Sequence, residues 1–153
     1  MYLLDASALV PLVSDFGKRL LAMAREVKLF TMDLTVYEAG NSLWKLSTLP
    51  KSISLEDAAK LMGVLGDLVA KQIIEAMRFA ELNLNRTLRT ANEHGITFYD
   101  SSYILIAKGR AATLVTDDAK LRDVASKYTK TIAYKDFKEL MLSKQDEKTI
   151  FEL

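Results

Sequence analysis

Hydrophobic and polar positions along the chain follow two periods. Tyr2-Leu3-Leu4, Lys28-Leu29-Phe30-Thr31-Met32, Ile96-Thr97-Phe98-Tyr99, Ala112-Thr113-Leu114-Val115-Thr116 and Thr131-Ile132-Ala133-Tyr134 are short apolar runs that read as strands. Between them apolar residues recur at three- and four-residue spacing. Ala6 to Val10 forms a turn or short helix that Pro11 restricts. Asp15 is placed to cap the helix that carries Leu20, Leu21, Met23 and Ala24. Val36, Ala39, Leu43 and Leu46 stripe a helix that starts at Asp33 or Thr35 and is ended by Pro50. Ser54-Leu55-Glu56-Asp57 has capping-box form, and Ala58, Leu61, Met62, Leu65, Leu68 and Val69 continue it as a helix. The helical pattern runs on, less cleanly, through Ile73, Ile74, Met77, Phe79 and Ala80. A further helix begins near Arg86 and stops at His94-Gly95, with glycine as its left-handed cap. Helices also follow Asp118 and span Phe137 to Leu142.

Strands alternating with helices predict an α/β fold with a mostly parallel central sheet and helices on both faces. Ligands of such sheets bind beyond the carboxyl ends of the strands. Three predicted strands stop at acids: Asp5, Asp100 and the pair Asp117-Asp118. A fourth acid, Glu38, shares a helix face with Asn41, Ser42 and Lys45, bordered by Tyr37 and Trp44.

Composition narrows the classes. The chain has 153 residues, 50% apolar, with two prolines. That suits one folded domain, 1–142, followed by a loose polar tail, 143–153, in which Ile150, Phe151 and Leu153 could dock. A formal net charge of +1 excludes global steering towards nucleic acid or acidic lipid. Phosphate contacts would come from a local subset of Lys18, Arg19, Arg25, Lys45, Arg86, Arg89, Lys108 and Arg110. With no cysteine there is no disulfide and no thiolate chemistry, which fits a reducing cytoplasm. Asp5 interrupts the apolar start, so no leader is expected. No apolar run reaches the roughly 20 residues of a membrane span.

If the strands are parallel, Asp5, Glu38, Asp100 and Asp118 converge. Clustered carboxylates repel one another, and Lys45 alone cannot balance them. A divalent cation can, and oxygen donors without His or Cys select Mg²⁺ or Mn²⁺. One or two such cations, about 3.5–4 Å apart when paired, suit phosphodiester hydrolysis. Asp118 is favoured over Asp117, because neighbouring residues at a strand end point opposite ways. Ser7, Asn41, Thr116 and Asp117 are candidates for orienting the carboxylates. The competing expectation is plain: Asp100 and Asp118 can simply cap helices, and Asp5 can form a turn with Ser7. Glu38 has no capping role, although it can pair with Lys45. His94 is expected to be structural.

Four motifs carry a family resemblance: Leu4-Asp5-Ala6-Ser7, Tyr37-Glu38-Ala39-Gly40-Asn41, Phe98-Tyr99-Asp100-Ser101-Ser102-Tyr103 and Leu114-Val115-Thr116-Asp117-Asp118. In this order and spacing the chain resembles PIN-domain ribonucleases, most closely the toxins of VapBC-type toxin–antitoxin pairs. The resemblance covers Met1 to Phe137, leaving Ile74 to Arg89 without a matching pattern. It implies a PIN-like three-layer fold and a Mg²⁺- or Mn²⁺-dependent endoribonuclease acting on RNA. It also implies a protein antitoxin. The family's acids fall on Asp5, Glu38, Asp100 and Asp118, and its small polar residues on Ser7, Asn41 and Thr116. The apolar helix Leu55 to Val69 offers surface for a homodimer or an antitoxin segment. Two alternatives stand beside the toxin: an RNA-processing nuclease, and a metal- or RNA-binding module of the same fold. A phosphate-accepting aspartate domain would need a paired lysine that the sequence does not display.

Overall fold

The computed structural model describes residues 1–23, 26–49 and 52–151, with backbone alone from 145 onward. Expectations about Ala24, Arg25, Pro50, Leu153 and the side chains of Ile150 and Phe151 lie outside the described residues. The strands are β1 (Tyr2–Leu4), β2 (Leu29–Met32), β3 (Ile74–Met77), β4 (Thr113–Val115) and β5 (Thr131–Ile132). They form one sheet in the order β3-β2-β1-β4-β5, and every neighbouring pair is parallel. The helices are α1 (Ala6–Phe16), α2 (Leu20–Met23), α3 (Asp33–Thr48), α4 (Leu55–Ala70), α5 (Leu84–His94), α6 (Phe98–Gly109), α7 (Ala119–Ala125) and α8 (Tyr134–Phe151).

Two apolar cores flank the sheet. Leu4, Leu29, Ile74 and Val115 face α1, α4 and α8, while Leu3, Phe30, Met77 and Leu114 face α6 and α7. Successive strand residues therefore alternate between two buried faces, which is why these runs are apolar without alternation. The mostly parallel, three-layer expectation holds.

Four elements differ from the sequence expectation. Ile96 to Tyr99 is not a strand. The Thr97 hydroxyl accepts from Asp100 N–H, the Asp100 carboxylate accepts from Thr97 N–H, and this reciprocal cap starts α6 at Phe98. The missing strand is β3, inside the stretch expected to continue a helix. Gln72, at φ 55°, ends α4 and lets Ile74 pair with Leu29. The exposed Glu75 is tolerated because β3 is an edge. Arg110 clasps that edge from the end of α6, reaching Glu75 at 2.8 Å and Glu81 at 3.0 Å over the Phe30 ring. Third, α1 runs through Pro11 because Ala8, Leu9, Leu12, Val13 and Phe16 are buried together, and tertiary packing outweighs one lost backbone bond. Asp15 consequently lies within α1, not at a cap; its carboxylate accepts from Tyr134 Oη at 2.6 Å and pairs with Lys138 at 2.9 Å. Fourth, β5 stops at Ile132, and α8 begins at Tyr134 and keeps helical backbone to Phe151.

A carboxylate pair at the strand ends

Asp5 is the residue on which the carboxyl edge is built. Its N–H donates to Val115 O at 3.3 Å, and the preceding Leu4 carbonyl accepts from Thr31 Oγ1 at 2.7 Å. Both neighbouring strands thus fix the peptide on which its side chain is mounted. Asp5 is 6% exposed. Oδ1 accepts from Ser7 Oγ at 2.7 Å and Ala8 N at 3.1 Å, and Oδ2 accepts from Thr116 Oγ1 at 2.5 Å. The expected turn with Ser7 is real, Asp5 also caps α1, and both coexist with burial at the strand end.

The two hydroxyls extend the network. Ser7 Oγ accepts from Asp117 N–H at 2.9 Å, and Thr116 Oγ1 accepts from Asp118 N–H at 3.0 Å. Each hydroxyl takes one proton from the β4–α7 turn and gives one to Asp5. This fixes the donor direction at both hydroxyls. Burial pushes the Asp5 carboxyl above the usual carboxylate range, against the lowering hydrogen bonds from Thr116, Ser7 and Ala8; the negative charge of Glu38 raises it further.

Glu38 reaches the same place from α3. Its Oε2 accepts from Tyr103 Oη of α6 at 2.9 Å. Tyr103 is 3% exposed and also bonded to Thr35 Oγ1 at 2.6 Å. Burial raises the phenol pKa far above its ordinary value, with Glu38 and Asp5 adding to the effect, so the hydroxyl stays protonated and donates. Glu38 does not pair with Lys45 among the described residues.

The remaining acids sit at the same edge on helix starts. Asp100 occupies the first turn of α6, whose C-terminus leads into β4, so its N-terminus lies at the carboxyl side of the sheet. It is not delivered by a strand. Asp118 caps α7 by accepting from Leu121 N at 2.9 Å, while Asp117 Oδ1 accepts from Tyr134 N at 2.8 Å. Both are exposed, as is Asn41, one turn beyond Glu38. Among the described residues no three His, Asp or Glu side chains are gathered to hold a metal ion. The structure ties Asp5, Ser7 and Thr116 into one hydrogen-bonded network on which the Glu38 charge acts, and none of the side chains of Asp100, Asp118 and Asn41 is bonded to it among the described residues. None of Asp5, Glu38, Asp100 or Asp118 has a basic partner among the described residues.

Two positioning residues escaped the sequence reading. Tyr103 lies three residues after Asp100, one turn along the same helix face, and that spacing was the available signal. Thr31 had no signal, because nothing in a buried strand announces a side chain aimed at a neighbouring carbonyl. Four of the candidate basic residues already have partners. Arg110 is committed to Glu75 and Glu81, Arg19 and Lys108 lie over the rings of Phe16 and Tyr128, and Arg89 donates to Asn85. His94 pairs with Tyr128 next to the Gly95 cap, a structural role.

Beside the acids lies a cleft of about 310 Å³ lined chiefly by apolar side chains, among them Tyr37, Phe79, Leu84 and Tyr99. Tyr37, Phe79 and Tyr99 are 78%, 66% and 54% exposed. Tyr37 and Tyr99 directly precede Glu38 and Asp100 in the chain, so α3 and α6 each carry one cleft residue and one acid.

An all-parallel five-stranded sheet in the order β3-β2-β1-β4-β5, with acids at its carboxyl edge, fits the PIN-like class. No family model matches the chain. Exonuclease VapC9 of Pyrobaculum aerophilum is 37% identical over 121 residues, 78% of this chain and 82% of the relative. Ribonuclease VapC3 of the same organism is 30% identical over 125 residues, 78% of this chain and 90% of the relative. The crystal structure of PAE2754 from Pyrobaculum aerophilum superposes with a TM-score of 0.70 at 30% identity, covering 93% of this chain and 95% of that one. The chain belongs to the VapC family of PIN-domain proteins.

Proposed function

We propose that this protein is a Mg²⁺- or Mn²⁺-dependent ribonuclease that cuts RNA internally, and that it is the toxin of a toxin–antitoxin pair. One observation carries the reading: Asp5, 6% exposed at the carboxyl edge of a parallel sheet, feels the negative charge of Glu38, and neither carboxylate has a basic partner among the described residues. Two like charges so placed call for a cation, and oxygen donors alone suit a hard one. Asp5 and Glu38 would anchor it, with Asp100 and Asp118 adding donors from α6 and α7. The bound cation supplies Lewis acidity and a more acidic water. Ser7, Thr116 and Tyr103 hold the carboxylates in place. The aromatic cleft offers ring faces on which unpaired bases stack.

The names of the two VapC relatives support nuclease action; one gives RNA as what is cut and the other gives exonuclease action. Internal cutting is the mode that the resemblance to PIN-domain ribonucleases implies. An antitoxin, a homodimer through exposed apolar residues such as Trp44 and Leu55, and residence in the cytoplasm belong to the same proposal. Among the described residues no helix is long and apolar enough to cross a membrane.

Circular single-stranded RNA tests this directly. Incubation with MnCl₂ should open the circle, EDTA should prevent it, and Asp5→Asn or Glu38→Gln should abolish it. No opening with either cation, or undiminished opening by Asp5→Asn, would sink the reading. Degradation of linear RNA alone would replace internal cutting by exonuclease action. Growth arrest on expression, relieved by a protein encoded alongside, tests the toxin role. The capping contacts of Asp5, Asp100 and Asp118 support a second reading, a non-catalytic module whose acids serve helix starts. Calorimetric titration with MnCl₂ showing no heat of binding would favour it.

A further inference from the structure

The Glu38 carboxylate stands at the end of a directed chain of hydrogen bonds. Met32 N–H, at the last residue of β2, donates to Thr35 Oγ1 at 3.3 Å. Thr35 Oγ1 and Tyr103 Oη are 2.6 Å apart, and Tyr103 Oη donates to Glu38 Oε2 at 2.9 Å. A carboxylate only accepts, so the tyrosine proton goes to Glu38. Thr35 must then donate to the tyrosine, and its own lone pair takes the Met32 N–H. Every donor is used once and the direction is unique. Thr35 is fully buried and Tyr103 nearly so.

The relay joins three elements. β2 ends at Met32, α3 carries Thr35 and Glu38 one turn apart, and α6 carries Tyr103. A glutamate has three rotatable side-chain bonds and, on a half-buried helix face, many poses. Holding one oxygen on a rigid phenol selects one of them.

We propose that Tyr103, braced by Thr35, is a positioning residue that orients Glu38 for the divalent cation shared with Asp5. The inference rests on the metal-dependent reading above and adds to it two residues that touch neither cation nor substrate. A group of this kind is commonly worth about 10–100-fold in metal affinity. The relay also predicts non-additivity. Once Tyr103 loses its hydroxyl, Thr35 has nothing to brace.

The test is calorimetric titration of the full chain with MnCl₂, with thermal unfolding of each variant in parallel. Tyr103→Phe keeps the ring in its core and removes only the hydroxyl. It should weaken Mn²⁺ binding by about 10–100-fold. Thr35→Val should weaken binding in the same direction, Thr35→Ser should restore parental affinity, and Tyr103→Phe/Thr35→Val should be no weaker than Tyr103→Phe alone. Parental affinity in a folded Tyr103→Phe overturns the inference while leaving the metal site standing. If Tyr103→Phe unfolds, the Thr35 pair decides: equal affinity of Thr35→Val and Thr35→Ser overturns it. Failure of the parent itself to bind Mn²⁺ overturns the metal-dependent reading and this inference with it.

Discussion

Thr116 Oγ1 donates to Asp5 Oδ2 at 2.5 Å, joining residues 111 apart in sequence at the mouth of β1 and β4. The bond is buried, and the same hydroxyl accepts from Asp118 N–H. Thr116→Val keeps the shape but removes the donor to a buried carboxylate and the acceptor for Asp118. Stability should fall by about 1–3 kcal/mol, and RNA cleavage by about 10–100-fold. Ser7→Ala should cost less of both, because Oδ1 keeps the Ala8 N–H. Thermal unfolding and cleavage rates of the two variants check the ranking. A Ser7→Ala effect larger than that of Thr116→Val would contradict it.

Two aspartates should give opposite pH slopes in metal-free protein. Burial raises the Asp5 carboxyl above 3.8. Its contribution is therefore fully present below 3.8 and lost as pH rises through the raised folded value, because the folded state then binds more protons. For Asp15, burial also pushes upward, but Tyr134 and Lys138 together carry the carboxyl below 3.8. Its contribution is present above 3.8 and lost as pH falls through the lower folded value. In EDTA, the melting temperature of Asp5→Asn relative to the parent should climb as pH rises above 3.8 and through the raised folded value. Asp15→Asn should be less stable than the parent at neutral pH, and that deficit should shrink in acid. Parallel curves for the two variants would refute the assignment.

Much of this architecture is visible in the residues, for identifiable reasons. β1, β2, β4 and β5 sit within strongly apolar runs, and the sheet buries both faces, so pattern and burial coincide. β3 is an edge with Glu75 in its middle and follows a long helical stripe, so local periodicity favoured continuing the helix. Ile96 to Tyr99 erred the other way: the Thr97–Asp100 cap outcompeted two β-branched residues. The edge that the candidate acids reach was legible, because sheet topology fixes it whatever element carries them. Asp100 arrives on a helix start, yet at the edge expected from a strand end. The hydroxyls of Tyr103 and Thr31 were not legible, because their partners lie 65 and 27 residues away.

Asp117 and Asp118 separate by what their carboxylates hold. Asp117 accepts from Tyr134 N–H, tying the start of α8 to the β4 turn, and Asp118 caps α7. Asparagine serves either cap almost as well as aspartate, so Asn variants remove charge and leave structure. Asp118→Asn should lose at least the roughly 10–100-fold in cleavage that ligand-orienting groups are worth, with little change in melting. Asp117→Asn should cleave as the parent does. Asp117→Ala should instead lower stability by about 1 kcal/mol through the lost cap. The reverse pattern of activities would move the fourth acid to Asp117.

The cleft beside the acids should act on substrate binding and not on chemistry. Tyr99 and Phe79 expose ring faces there, and Tyr99 immediately precedes Asp100. Stacking of one base on one ring is worth about 1–3 kcal/mol. Tyr99→Ala or Phe79→Ala should therefore raise KM for single-stranded RNA by about 5- to 100-fold while kcat stays near the parental value. Tyr99→Phe keeps the ring and should restore KM. Both rings are largely exposed, so melting temperatures should barely move. A KM unchanged in both alanine variants would remove the cleft from substrate recognition. A fall in kcat with KM constant would instead make Tyr99 a support for Asp100, through the first turn of α6 that the two residues share.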